Sequence, residues 1–369
     1  MENQGINRQD ADVLHKGRGS QINPTHRFTK IALEEDLEFL EHDLDAAADR
    51  RSHKTEYFED DAQSIVSENN SPDIPFRYSL NIYRGCLHGC SYCYARPTHE
   101  FYNLSAGLDF ESKIFVKQQA PVLFRNWLTR AGYQPETVVF SGVTDCYQPI
   151  ERTLLLTRQC LAVAVEARQP VSIITKNNLV TRDLDLLREL ARFSAVRVAI
   201  SITTLDQSLT RVMEPRTSSP AARMRAIADL SAAGVPTTVM VSPVIPGLTD
   251  HEMPEILRQA KEAGANSAAY ILLRLPMSVE PVFMEWLQRS QPNQAAKIEA
   301  RIRATRGGEL YDSRFGARMR GTGEIAEHIR RTFEIFATRF GLGDERTPLS
   351  ALQFRRPTPT SGQRWLFET

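Results

Sequence analysis

Three cysteines fall within eight residues: Cys86, Cys90 and Cys93, in the run Tyr-Arg-Gly-Cys-Leu-His-Gly-Cys-Ser-Tyr-Cys-Tyr-Ala-Arg. Thiolates at C-x3-C-x2-C spacing on one loop can hold three corners of a cubane iron–sulfur cluster, which ordinarily takes four cysteines. A missing fourth ligand leaves one iron open to a substrate or cofactor, an arrangement suited to chemistry rather than electron storage. The competing use of the same thiols is a tetrahedral zinc completed by His88 or His99. A zinc knuckle usually pairs two separated C-x-x-C halves, and the two remaining cysteines, Cys146 and Cys160, lie far along the chain.

Other polar groups sit at the ends of short apolar runs. Val138-Val139-Phe140 leads into Ser141, Gly142, Thr144 and Asp145. Asp145 and Glu151 also suit capping of the helix that follows. Thr175-Lys176 closes another run, where a lysine is a point charge for a carboxylate in a partly dry cleft. In Ile200-Ser201-Ile202 the hydroxyl points to the face opposite both isoleucines. Arg216, in Glu214-Pro215-Arg216-Thr217-Ser218, is a candidate holder of a carboxylate or phosphate. Met240 to Gly247, with Val244, offers apolar side chains and exposed amides suited to a flat base. Cys146 reads as a buried apolar cysteine.

These groups need a scaffold, and the chain supplies a repeating one. Strands are expected at Ser79–Tyr83, Thr137–Ser141, Val171–Thr175, Val196–Ile202, Thr237–Val244 and Ala268–Leu273. Helices are expected at Ala120–Ala131, Arg152–Ala167, Arg182–Phe193, Pro220–Ala233 and His251–Ala263. Pro220 behind Ser219, and Thr249-Asp250, read as helix starts. Gly234 and Gly264 read as helix stops. Strand followed by helix, about six times, implies a parallel sheet with right-handed crossovers. Sites in such folds lie at the C-terminal strand ends, and the cysteine loop follows the first strand. Residues 1–75 read as an acidic, largely irregular extension with one helix over Ile31–Ala48. Residues 76–275 read as the core. Residues 276–369 read as a mixed, arginine-rich extension with a helix over Glu324–Phe340 and a loosely ordered tail after Phe354.

From Cys86 to about Ile245 the chain resembles the radical S-adenosylmethionine (radical SAM) superfamily, and within it the spore photoproduct lyase and DNA-repair-photolyase-like group. The resemblance implies an α/β fold, a partial (β/α)6 barrel, carrying N-terminal and C-terminal extensions. It implies a [4Fe–4S] cluster on Cys86, Cys90 and Cys93, with SAM on the open iron. It also implies a 5′-deoxyadenosyl radical that abstracts hydrogen, and a lyase-like activity in DNA repair. Tyr92 and Tyr94 would belong to the hydrogen-transfer path. Ser141, Gly142, Thr144 and Asp145 would lie by the SAM amino group, Lys176 and Ser201 by its carboxylate, Arg216 nearby and Val244 at the adenine. The chain departs from the lyase at Gly142, which stands where the lyase has its hydrogen-donating cysteine. The substrate class implied is nucleic acid, and the electron source a low-potential donor such as flavodoxin or ferredoxin.

Bulk properties narrow the field. The 369 residues carry 45 basic and 45 acidic side chains, but residues 1–75 hold 8 basic and 17 acidic ones. The remainder is therefore mildly basic, which favours a polyanion or is an ordinary mixed surface. No run of eighteen apolar residues exists, so no membrane span is expected. Five cysteines, three of them clustered, point to a reducing cytoplasm rather than a disulfide framework. The C-terminal third has no cysteine, which argues against an auxiliary cluster of the kind carried by peptide-modifying relatives. The alternative to an enzyme is a non-catalytic zinc or iron–sulfur module that binds nucleic acid.

Overall fold

Short runs of β-branched and aromatic residues carry the fold, because helices cover them and leave most positions buried. The computed structural model describes residues 14–25, 28, 54–343 and 348–359. The helix expected over Ile31–Ala48 lies outside the described residues. In chain order the strands are β1 (Glu56–Glu59), β2 (Val66–Glu68), β3 (Tyr78–Leu80), β4 (Tyr83–Arg84), β5 (Lys113–Val116), β6 (Val138–Phe140), β7 (Val171–Thr175), β8 (Val196–Ser201), β9 (Thr237–Val244) and β10 (Ser267–Leu272).

One seven-stranded sheet runs β10-β9-β8-β7-β6-β3-β2. Its pairs from β3 through β10 are all parallel, and β2 joins β3 antiparallel. The six parallel strands are those expected from the strand–helix alternation. They form an open, partial (β/α)6 barrel of α/β class. Ser219 caps the helix Pro220–Ala232 by accepting the Ala222 N–H. Gly234 and Gly264 adopt φ of 75° and 94°, the left-handed turn that a helix stop requires.

Several expectations needed correction. The first strand ends at Leu80, not Tyr83. Tyr83 and Arg84 instead pair antiparallel with Val116 and Phe115, in a second sheet ordered β1-β5-β4. The expected helix Arg152–Ala167 is two pieces, Glu151–Leu154 and Leu156–Ala167, broken where Leu155 takes a φ of 57°. The Glu151 carboxylate accepts the Thr157 N–H and starts the second piece. Thr249 and Asp250 do not cap the helix Met253–Glu262. Their side chains accept the N–H groups of Ile245 and Gly247 and so tie the preceding loop.

Two helices, Val279–Ser290 and Ala295–Ala304, occupy the part read only as mixed. Val279, Phe283, Trp286 and Ile298 join Cys90 and Tyr92 in one apolar cluster. The C-terminal extension thus packs under the cysteine loop. Past the helix Gly323–Arg339, Phe354 meets the Tyr133 ring edge-on at 5.6 Å, and the Arg355 N–H donates to Ala167 O. Among the described residues no helix is long and apolar enough to cross a membrane.

Candidate active site

The cysteine loop leaves β4 at Gly85 and is held from three directions. Arg96, fully buried, donates to Cys90 O at 2.8 and 3.0 Å and pairs with the buried Glu111. Gln148 accepts the Leu87 N–H at 2.9 Å. The N-terminal segment then crosses the loop: Gly19 and Ser20 donate their N–H groups to the Glu111 carboxylate at 3.0 and 2.8 Å. Backbones approach so closely there that a Cβ on Gly19 would stand 1.8 Å from Gly89 O. The segment read as an irregular arm is therefore a strap over the loop.

Cys86, Cys90 and Cys93 are free thiols, the first two buried. Burial pushes the Cys90 thiol far up and Cys93 up to about 11, a cost to the thiolate that the positive charge of a bound metal offsets. Both histidines that could complete a zinc site have other partners, and His88 also bonds the Cys86 side chain. His88 Nδ1 faces the Asp145 carboxylate at 3.3 Å and its Nε2 lies 3.3 Å from Asn177 Nδ2. Burial alone would lower the His88 pKa, but Asp145 and Cys86 raise it to about 10. His99 Nε2 is 2.9 Å from Lys113 O. Three thiols and no fourth cysteine on the loop fit a cubane with one open corner.

Opposite the loop, Lys176 Nζ donates to Ser201 Oγ at 2.6 Å and to Ser242 O at 3.3 Å. Its Nζ also lies 5.7 Å from the Tyr92 ring centroid. Tyr92 donates its O–H to Glu214, which also accepts Thr203 Oγ1 at 2.7 Å and pairs with Arg223, all in the buried interior. Burial alone would raise the Glu214 carboxyl, but Arg223 and Lys176 outweigh it and hold it near about 2. Thr203, Glu214 and Arg223 are the polar residues missed as a group by sequence reasoning. Only the Glu214-Pro215 segment gave a signal.

Tyr94 is half exposed and donates to Gly142 O at 2.5 Å. The Arg274 guanidinium lies 5.4 Å from its ring centroid. Gly142 follows β6 and Arg274 follows β10, strands four positions apart in the sheet, hence about 19 Å apart were the sheet flat. A single ring touching both requires the sheet to curl around a mouth.

The other residues singled out by sequence are placed differently. Asp145 accepts the Thr175 hydroxyl at 2.8 Å and the N–H groups of Lys176 and Tyr147 at 2.8 Å, so its carboxylate ties β7 to the cysteine loop through His88. Ser141 Oγ accepts the Cys146 N–H at 2.9 Å, and Thr144 Oγ1 donates to Gly85 O at 2.7 Å. Arg216 lies 3.5 Å from Thr55 Oγ1, beside Arg18. Val244 is fully buried in the sheet core.

Residues 80–260 match the radical SAM superfamily. A protein of Methanocaldococcus jannaschii, itself uncharacterized, is 33% identical over 224 residues, 60% of this chain and 80% of that protein. The chain belongs to the radical SAM superfamily. An uncharacterized Mycobacterium tuberculosis protein is 39% identical over 225 residues, 60% of this chain. The aligned part spans 66% of that relative's own length. Among solved structures, spore photoproduct lyase complexed with dinucleoside spore photoproduct superimposes with a TM-score of 0.56 at 15% identity, covering 77% of this chain and 79% of that one, a likeness of fold. The cofactors of this family are a [4Fe–4S] cluster and SAM.

Proposed function

We propose that the protein abstracts hydrogen from a nucleic-acid substrate presented at the barrel mouth. The observation that carries this reading is three free thiols on one loop, with Lys176, held by Ser201, acting electrostatically on Cys90 and Cys93. When bound, the cluster supplies the electron that cleaves the SAM sulfonium to a 5′-deoxyadenosyl radical. Cys86, Cys90 and Cys93 hold the cluster. Lys176, steadied by Ser201 and the Ser242 carbonyl, meets the SAM carboxylate. Gly142 and its neighbours shape the wall by the amino group, and Val244 backs the adenine region.

Tyr94, half exposed beside Cys93, faces the substrate. Tyr92 is anchored by Glu214 and acts as a positioning residue. Support for nucleic acid comes from the basic balance beyond residue 75 and from the dinucleoside bound by spore photoproduct lyase. Hydrogen return does not copy the lyase: at Gly142 a Cβ would lie 2.9 Å from the Ser79 Cβ, and Cys146 is buried in the core. A low-potential donor such as flavodoxin or ferredoxin delivers the electron.

Cluster-loaded protein given dithionite and SAM without oxygen is expected to release 5′-deoxyadenosine, and Cys90→Ala to release none. Wild-type protein with a verified cluster and no 5′-deoxyadenosine would overturn the reading.

A further inference from the structure

Arg274 stands at the rim of the mouth, two residues beyond β10, with its guanidinium over the Tyr94 ring. Its surroundings are poor for a cation. Nη1 reaches only the Met319 thioether, at 3.5 Å, and Nε is buried without a partner. Among the described residues no carboxylate pairs with it. The neighbouring Arg306 is buried; its Nη1 and Nη2 donate to the carbonyls of Ala317 and Leu273, and its Nε too is buried without a partner. Asp312, the carboxylate acting on Arg306, is itself clamped by Arg314 at 2.7 Å. Positive charge at this rim is therefore in excess, whereas partly desolvated charges are normally paired.

We infer that Arg274 binds a backbone phosphate of the substrate strand at the barrel mouth. This rests on the nucleic-acid reading above and adds the residue that anchors the strand. A guanidinium held over an aromatic ring can still offer its Nη groups to phosphate oxygens. Met277, three residues beyond Arg274, and Phe315, four residues before Met319, are exposed at 59% and 62%, the latter with Arg318 over its ring at 4.8 Å. Arginine alternating with apolar and aromatic surface is the arrangement that holds single-stranded nucleic acid. It suits a phosphodiester better than an acidic peptide, which has no bases to stack. Because Tyr94 adjoins Cys93, a phosphate on Arg274 sets the neighbouring nucleoside on the cluster side of the mouth.

The test is fluorescence anisotropy of a labelled oligothymidylate of about ten nucleotides on anaerobic, cluster-loaded protein with SAM, across a salt series. Arg274→Gln is expected to weaken binding several-fold and to flatten the log–log salt slope by about 0.7, one phosphate on a single strand. Arg274→Lys is expected to keep the slope. Independently of any variant, bound oligonucleotide is expected to shield Arg274 of the wild type from phenylglyoxal, read by mass spectrometry. Unchanged affinity and slope in Arg274→Gln, or unshielded Arg274 under saturating oligonucleotide, overturns the inference. So does binding of polyglutamate in place of the oligonucleotide. Release of 5′-deoxyadenosine by the wild type without oligonucleotide tests the radical reading separately, so the two failures are distinguishable.

Discussion

Glu214 shows how much one side chain settles inside this site. Its carboxylate receives Tyr92 and Thr203 and neutralises the buried Arg223. Glu214→Gln leaves that guanidinium buried without its counter-charge, and the expected cost is about 3–5 kcal/mol in urea unfolding. The carboxyl is held near about 2 against an ordinary 4.5. Its stabilising effect is thus present above 4.5 and fades as pH falls toward 2. His99 acts at higher pH. Burial between Phe110 and Phe115 lowers its pKa from 6.5 to about 4. The unfolded chain takes up that proton first, so stability is full above about 6.5 and declines as pH falls toward 4. Melting temperatures over that window are expected to fall less steeply for His99→Gln than for the wild type. Equal slopes would show that another group sets the acid response.

The strap of residues 14–25 is the element laid across the cysteine loop. At Gly19 it meets the loop backbone against backbone, so glycine is needed there for lack of room rather than for turn geometry. Gly19→Ala drives a methyl into Gly89 O. The expected loss is about 1–3 kcal/mol, with faster bleaching of the cluster absorbance in air than in the wild type. A variant that keeps its cluster as long as the wild type would show that the strap does not brace the loop. The sequence of this stretch reads as irregular, and so it is: no helix or strand pattern exists there to find. What orders it is Glu111, 92 residues away from Gly19. By contrast, the helix Val279–Ser290 carries a legible period in Val279, Val282, Phe283, Trp286 and Leu287.

Across the whole molecule, the C-terminal extension closes the fold on two sides. Its helices pack under the cysteine loop, and residues 348–359 run along the outer helices. There Phe354 rests on Tyr133, and Arg125 donates to Thr358 O at 2.8 Å. Phe354→Ala is expected to cost about 1–2 kcal/mol, from lost apolar burial and the aromatic pair. Since this contact is far from the mouth, 5′-deoxyadenosine release at low temperature is expected to match the wild type. The sequence by itself determined the six parallel strands, their order of alternation with helices, and the three-thiol loop after the first strand, because periodicity and spacing are properties of neighbours in the chain. Only the tertiary structure decided that Asp145 turns to His88, that Arg216 lies by Arg18, and that Arg274 reaches Tyr94. Those pairings join segments far apart in sequence, and they depend on how tightly the sheet curls, which no local pattern encodes.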